Sequence, residues 1–141
     1  MVKILIKRAD NDYAFEAMDS SGHIMRMDAA EAIGGHNSGF RPMQTLLMGL
    51  GGCGGVDIIS ILRKQKQVVT EFKMIIDGER EPGKEPSLWK YVHLTFQFRG
   101  DVEEDKAYKA CALSIDKYCS VAATLRAAGC KIEWKVEIMR D

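Results

Sequence analysis

The chain has no excess of either charge: its 141 residues include 20 Lys and Arg and 20 Asp and Glu, for a formal net charge of zero. Proteins that bind nucleic acid or anionic lipid usually carry a basic excess. We therefore expect no nucleic-acid partner and no membrane partner. The sequence also lacks low-complexity tracts, and its hydrophobic share of 46% is ordinary for a globular protein. It predicts a single domain over residues 1–141.

The sequence has little that indicates a membrane span or an export signal. The apolar run 46–62 contains Asp57 and five glycines, and it is short, so we interpret it as a buried core helix. The opening MVKILIKRAD has charges within its apolar stretch and no small-residue cleavage site. We therefore expect a cytoplasmic protein.

The cysteine pattern contains neither a CxxC motif nor the Cys/His spacing of a zinc site, so no metal is expected. In a reducing compartment structural disulfides are not expected either. Cys111 and Cys130 are interpreted as buried, unreactive thiols, the common state of free cysteine. The full set of four is Cys53, Cys111, Cys119 and Cys130.

The hydrophobic periodicity predicts an α+β domain with the order βββ-α-ββ-α-β. Pro42 suits the first turn of a helix, and Gly129 suits the end of one. The predicted strands are 2–8, 13–19, 23–28, 68–77, 91–100 and 131–139, and the predicted helices are 42–66 and 101–128. A polar segment, 78–87, is predicted to be an exposed loop.

The segment GLGGCG, residues 49–54, matches the string GxGxxG. A dinucleotide site needs a strand before this motif and a helix beginning on it, but residues 42–47 already predict helix. A hydrolytic cysteine would need a base, and His36 and His93 are the candidates, without a local motif to support them. The glycines also fit a simpler interpretation, in which small residues let another element pack closely.

Two of the cysteines lie where helices could bring them together. Leu50, Cys53 and Asp57 recur at helical spacing and share one face. Cys119 lies in KYCSVAATL, among small residues of the second predicted helix. If these helices pack against each other, the two thiols can cycle between dithiol and disulfide without a metal.

Three stretches resemble the OsmC/Ohr family of osmotically inducible and organic hydroperoxide resistance proteins. They are PMQTLLMGLGGC from Pro42, DIISIL from Asp57 and KYCSVA from Lys117. The resemblance implies an intertwined homodimer in which antiparallel sheets wrap two long central helices, with active sites at the dimer interface.

The resemblance also implies a chemistry for the two thiols. Cys53 would attack a small hydroperoxide and become a sulfenic acid, and Cys119 would condense with it to a disulfide. An external thiol or lipoyl-type dithiol would then reduce the disulfide, and no bound cofactor is implied. The pattern therefore predicts a thiol peroxidase active in oxidative stress defence.

The sequence departs from the family at the residues that activate the thiolate. The usual glutamate is Met43 here, and Phe15 stands near the position of the usual arginine, which indicates a branch without the Arg/Glu pair. Arg41 and Arg26 are candidate substitutes, although arginine is mostly exposed. Asp57 is a candidate orienting residue or a solvated carboxylate. Met43 favours an alternative: a non-catalytic binder of small hydrophobic ligands, or a redox sensor.

Overall fold

The first 28 residues form the antiparallel meander that the turn signals predict. The structure is a computed structural model that describes residues 1–140. Its first sheet has the order β1-β2-β3, with both pairs antiparallel. The strands are shorter than predicted: β1 is Leu5–Arg8, β2 is Phe15–Met18 and β3 is Ile24–Met27.

The loop after β3 is organised by the buried carboxylate of Asp28. This carboxylate accepts hydrogen bonds from the hydroxyl and backbone N–H of Ser38, at 2.7 and 3.1 Å, and from the backbone N–H groups of Ala29 and His36. The Ser38 hydroxyl, followed by these N–H groups, holds the pKa of Asp28 well below its usual range. The loop thus has a fixed conformation up to Pro42.

The remaining elements form a second sheet and the helices that pack on it. The sheet order is β4-β5-β6. The elements are α1 (Pro42–Lys64), β4 (Val68–Arg80), β5 (Trp89–Asp101), α2 (Glu104–Leu113), a π-helical turn (Ser114–Tyr118), α3 (Ser120–Ala127) and β6 (Lys131–Ile138). The expectation of purely antiparallel sheets is wrong for one pair, since β5 and β6 are parallel. A parallel pair needs a long crossover, which the helices between these strands supply.

The hydrophobic core lies between this second sheet and the helices. As the alternation in the sequence predicts, Val92, Leu94, Phe96 and Phe98 of β5 are fully buried. From α1 the buried side chains are one helical stripe, Leu50, Ile58 and Leu62, together with Gly51 and Gly54.

The predicted second helix, 101–128, is wrong as a single element. It is divided into α2 and α3 by residues Ser114–Cys119, which we call the helix break. Cys119 has extended dihedral angles, φ −71° and ψ 109°, so the α-helix cannot continue through it. Tyr118, the last residue of the π-helical turn, is 54% exposed.

The chain divides into two compact units, Met1–Leu46 and Leu47–Asp141. The boundary falls inside α1. The assignment of the whole chain to one domain stays a prediction.

The helix α1 is long and apolar enough to span a membrane, with a mean hydropathy of 1.7 over its most apolar window. A core helix of a soluble protein can be equally long and apolar, and α1 contributes a buried stripe to the core.

Candidate functional site

Cys53 lies in the middle of α1, where glycines allow neighbouring elements to approach closely. A Cβ atom on Gly54 would lie 3.0 Å from Cδ1 of Ile115 in the helix break. On Gly51 it would lie 2.9 Å from Cδ1 of Ile76 in β4. The glycines around Cys53 therefore let α1 pack closely against β4 and against the helix break. This agrees with the interpretation of these glycines as small residues that allow another element to approach. The string GxGxxG lies wholly inside α1, without the strand that a dinucleotide site requires.

The helix break exposes backbone N–H groups to Cys53. The first N–H groups of a helix have no partners within the helix. The start of α3 lies close to α1, since a Cβ atom on Gly49 would lie 4.0 Å from Cγ2 of Val121, and the backbone N–H groups of Val121 and Ser120 lower the pKa of Cys53. The beginning of a helix also carries partial positive charge, which favours a thiolate.

The pKa of Cys53 is consequently lowered from its ordinary value. The largest cause is the Val121 N–H, which outweighs the partial burial of the thiol, and the Cys119 thiol and the Ser120 N–H lower the pKa further. The negative charge of Asp57 acts in the opposite direction. Cys53 is half-buried, so its sulfur combines partial access with a stabilised thiolate.

Cys119 is buried, and its pKa is raised, first because burial disfavours the thiolate. Its sulfur caps α3 by accepting a hydrogen bond from the Ala122 N–H at 3.4 Å. The Cys53 thiolate raises the pKa of Cys119 further. The two thiols therefore influence each other in opposite directions: the pKa of Cys53 is lowered and the pKa of Cys119 is raised.

Asp57 lies one turn after Cys53 and is half-buried. The hydroxyl of Ser114 hydrogen bonds to the Gly54 carbonyl oxygen at 3.0 Å and to Oδ2 of Asp57 at 3.3 Å. Asp57 is thus tied to the helix break, and its charge opposes formation of the thiolate.

Arg26 and Arg41 both belong to the unit Met1–Leu46 and hydrogen bond within it. Nε of Arg26 donates to Oγ of Ser38 at 3.0 Å. Nη2 of Arg41 donates to Oδ1 of Asn37 at 3.0 Å, and its Nη1 donates to the Gly39 carbonyl oxygen at 3.3 Å. Both guanidinium groups hold the loop before α1, and a role for either in activating Cys53 stays a prediction.

The two histidines considered as bases have carboxylate neighbours of their own. Nε2 of His36 lies 2.6 Å from Oδ2 of Asp12. His93 lies opposite Asp77 and Glu133 in the sheet register. Within residues 1–140, no three His, Cys, Asp or Glu side chains form a group that could hold a metal ion.

Sequence reasoning missed the backbone donors at the start of α3 because the helical periodicity runs through Cys119. A signal was nevertheless present in SIDKYCSV, residues 114–121. Lys117 is the one strong helix former there, whereas AYKACAL before it and AATLRAA after it are rich in alanine. This local minimum in helix propensity coincides with the helix break.

Comparison with known proteins identifies the family. The OsmC-like protein family model matches residues 35–135, which include Cys53 and Cys119. Protein YhfA of Escherichia coli (strain K12) is 36% identical over 118 residues, covering 81% of this chain and 82% of that protein.

Solved structures agree with this match. The crystal structure of a hypothetical protein from Aquifex aeolicus VF5 has a TM-score of 0.81 and 29% identity, covering 99% of this chain and 98% of that one. The organic hydroperoxide resistance protein OhrB of Bacillus subtilis has a TM-score of 0.65 and 14% identity, covering 97% of this chain and 98% of that one. The second likeness concerns the fold alone. Together with the family match, these findings show that the chain belongs to the OsmC/Ohr family.

Proposed function

We propose that the protein is a thiol peroxidase that reduces organic hydroperoxides or hydrogen peroxide, with Cys53 as the nucleophile and Cys119 as the resolving thiol. The observation that carries the proposal is the placement of the two thiols, Cys53 in α1 and Cys119 as the cap of α3, with a pKa that is lowered at the first and raised at the second. Membership of a family that includes hydroperoxide resistance proteins supports it.

The first half of the reaction forms a sulfenic acid. The Cys53 thiolate attacks one peroxide oxygen, the O–O bond breaks, and the other oxygen leaves as an alkoxide or hydroxide. The leaving oxygen takes a proton and departs as an alcohol or water. The N–H groups of Ser120 and Val121 stabilise the thiolate before the attack, the task given to the Arg/Glu pair in related peroxidases.

The second half restores the thiols. The sulfur of Cys119 attacks the Cys53 sulfenic acid, an S–S bond forms, and hydroxide leaves as water with the proton of Cys119. An external thiol or lipoyl-type dithiol then reduces the disulfide and is itself oxidised. In the sum, one peroxide and one dithiol give one alcohol, one water and one disulfide.

A homodimer is part of the proposal. Family membership supports it, and so do the exposed apolar side chains, since large exposed patches mark interaction surfaces. The first sheet leaves Leu5 and Ile6 of β1 about half exposed, at 54% and 55%, although neighbouring residues of a strand point to opposite faces. On α1, Val56 is 72% exposed. A second copy of the chain would cover surfaces of this kind.

Peroxide treatment of the reduced protein tests the proposal. We expect substoichiometric cumene hydroperoxide to produce a Cys53–Cys119 disulfide within seconds, detected by peptide mass spectrometry without reductant. The Cys53→Ser variant should form no such disulfide, and Cys130→Ser, which alters a buried thiol outside the pair, should react like the unaltered protein. With dithiothreitol present, peroxide consumption should be catalytic.

Two outcomes would contradict the proposal in different ways. If Cys53 stays reduced while peroxide persists, the peroxidase assignment fails. If the disulfide forms but excess dithiol gives no repeated turnover, the protein acts as a redox sensor, the alternative that Met43 favours.

A further inference from the structure

The helix break frees backbone groups on both of its sides. In a continuous α-helix the Ile115 carbonyl oxygen would accept the Cys119 N–H, but that N–H donates to the Ser114 carbonyl oxygen at 2.7 Å. On the other side, Cys119 is the N-cap of α3, so the N–H groups of Ser120 and Val121 have no partner within the helix. The start of α3 lies close to α1, with Cγ2 of Val121 4.0 Å from a Cβ placed on Gly49, and the two N–H groups lower the pKa of Cys53. The same rearrangement therefore creates a carbonyl group that needs a donor and the two amides that stabilise the thiolate.

Arg126 supplies the donor for the carbonyl side. From the last turn of α3, its Nη1 donates to the Ile115 carbonyl oxygen at 2.8 Å. Its Nη2 donates to Oδ1 of Asp116 at 2.9 Å and to the Ile132 carbonyl oxygen at 3.2 Å. One planar guanidinium thus joins the helix break, α3 and β6, which the single ammonium group of lysine cannot reproduce.

The helix break is also held from the side of α1. The Ser114 hydroxyl donates to the Gly54 carbonyl oxygen, one residue from Cys53. Ser114 therefore fixes where the helix break begins relative to Cys53, and Arg126 fixes its geometry relative to α3. The orientation of the two amides depends on both anchors.

We propose that Arg126 is a positioning residue of the peroxidase site: by satisfying the Ile115 carbonyl group it holds the helix break in the conformation that directs the Ser120 and Val121 amides at the Cys53 sulfur. This role rests on the proposed function of Cys53 as nucleophile. Arg126 hydrogen bonds to the helix break and β6, and acts on Cys53 through the backbone between them.

The pH profile of Cys53 alkylation tests this role without using peroxide. The titratable groups that face Cys53 are Asp57 from α1 and Cys119 from the helix break, and Arg126 itself pairs with Asp116. In Arg126→Gln we expect the midpoint of iodoacetamide alkylation to rise by about half to one and a half pH units, the size of a helix-terminus interaction. Arg126→Lys, which keeps the charge but not the fork of donors, should give a smaller rise.

The matched control is Arg140→Gln, which removes one positive charge at an exposed position outside α3. Its alkylation midpoint should equal that of the unaltered protein. A lowered melting temperature in Arg126→Gln with an unchanged midpoint would show a merely structural role and overturn the proposal. If Arg126→Gln does not fold, an unchanged midpoint in the folded Arg126→Lys overturns it equally.

Failure of the proposed function gives a different result. If the unaltered protein does not reduce cumene hydroperoxide but Arg126→Gln still raises the alkylation midpoint, the positioning role stands and the peroxidase assignment fails. If the unaltered protein reduces cumene hydroperoxide and the alkylation midpoint does not move in Arg126→Gln, the peroxidase assignment stands and the positioning role fails.

Discussion

Cys53 and Cys111 both lie on helices that pack into the same core, yet their thiols have opposite properties. Cys111 is fully buried inside α2, and burial raises the pKa of its thiol from 9.0 to about 12. Cys53 is half-buried in α1, and its pKa is lowered. The difference arises because the interior of a continuous helix offers no free N–H group, whereas the beginning of α3 directs two toward Cys53. In this protein, the pKa of a thiol is lowered where a neighbouring helix is interrupted.

The largest expected difference is in alkylation rate between these two cysteines. At pH 8 a thiol with a pKa of about 12 is ionised in roughly one molecule in ten thousand, whereas the lowered pKa of Cys53 favours its thiolate. Iodoacetamide should therefore modify Cys53 more than about a hundredfold faster than Cys111 in the folded protein, as measured by peptide mapping. In 6 M guanidinium the two rates should converge. Equal alkylation rates of Cys53 and Cys111 in the folded state would contradict the contrast in pKa between the two thiols.

A smaller effect is expected when the thiol of Cys119, which lowers the pKa of Cys53, is replaced. Cys119→Ala removes this donor and the cap of α3, so the alkylation midpoint of Cys53 should rise by about one pH unit. Cys119→Ser keeps a donor and a good capping group, and its midpoint should stay closer to that of the unaltered protein. Neither variant can form the disulfide, so both should accumulate a sulfenic acid that dimedone traps. A midpoint in Cys119→Ala identical to that of Cys119→Ser would show that a polar hydrogen at this position has no influence on Cys53.

The smallest effect concerns the packing of α1 on the helix break. In Gly54→Ala the new Cβ would meet Ile115 at 3.0 Å and Oγ of Ser114 at 3.5 Å, so we expect the helix break to shift and Cys53 alkylation to slow by a few-fold. Gly52→Ala is the matched control, since its Cβ would have no neighbour within 4 Å. It should leave the alkylation rate unchanged and raise the free energy of unfolding by up to about 1 kcal/mol through helix propensity. Thermal melting measures the change in stability of each variant, and alkylation kinetics measure the change at Cys53. Equal slowing of Cys53 alkylation in both variants would contradict the packing argument.

The sequence was sufficient to predict the six strands and the first helix, but not the interruption of the second helix. The alternation of Val92, Leu94, Phe96 and Phe98 predicts a strand with one buried face, and that face is fully buried. The interpretation of Cys111 as a buried thiol is confirmed as well. These features follow from local periodicity, because a strand or helix must turn its apolar side toward the core whatever lies opposite.

The sequence did not reveal what stabilises the Cys53 thiolate. Side chains are the natural candidates, and the sequence offers Arg26 and Arg41 in place of the arginine that the resemblance to the family implies. The groups that lower its pKa include the backbone N–H groups of Val121 and Ser120. Every residue has such a group, so no residue type marks the ones that are free.

What the sequence by itself determined is therefore the family, the order of the elements and the pair of cysteines, since each depends on residue types and their spacing. Only the tertiary structure decided which thiol holds a stabilised charge. That depends on where the second helix is interrupted, and the helix break is held by contacts distant in sequence: Ser114 with Gly54, and Arg126 with Ile115. A backbone amide becomes a functional group only when packing removes its helical partner and places a sulfur within reach.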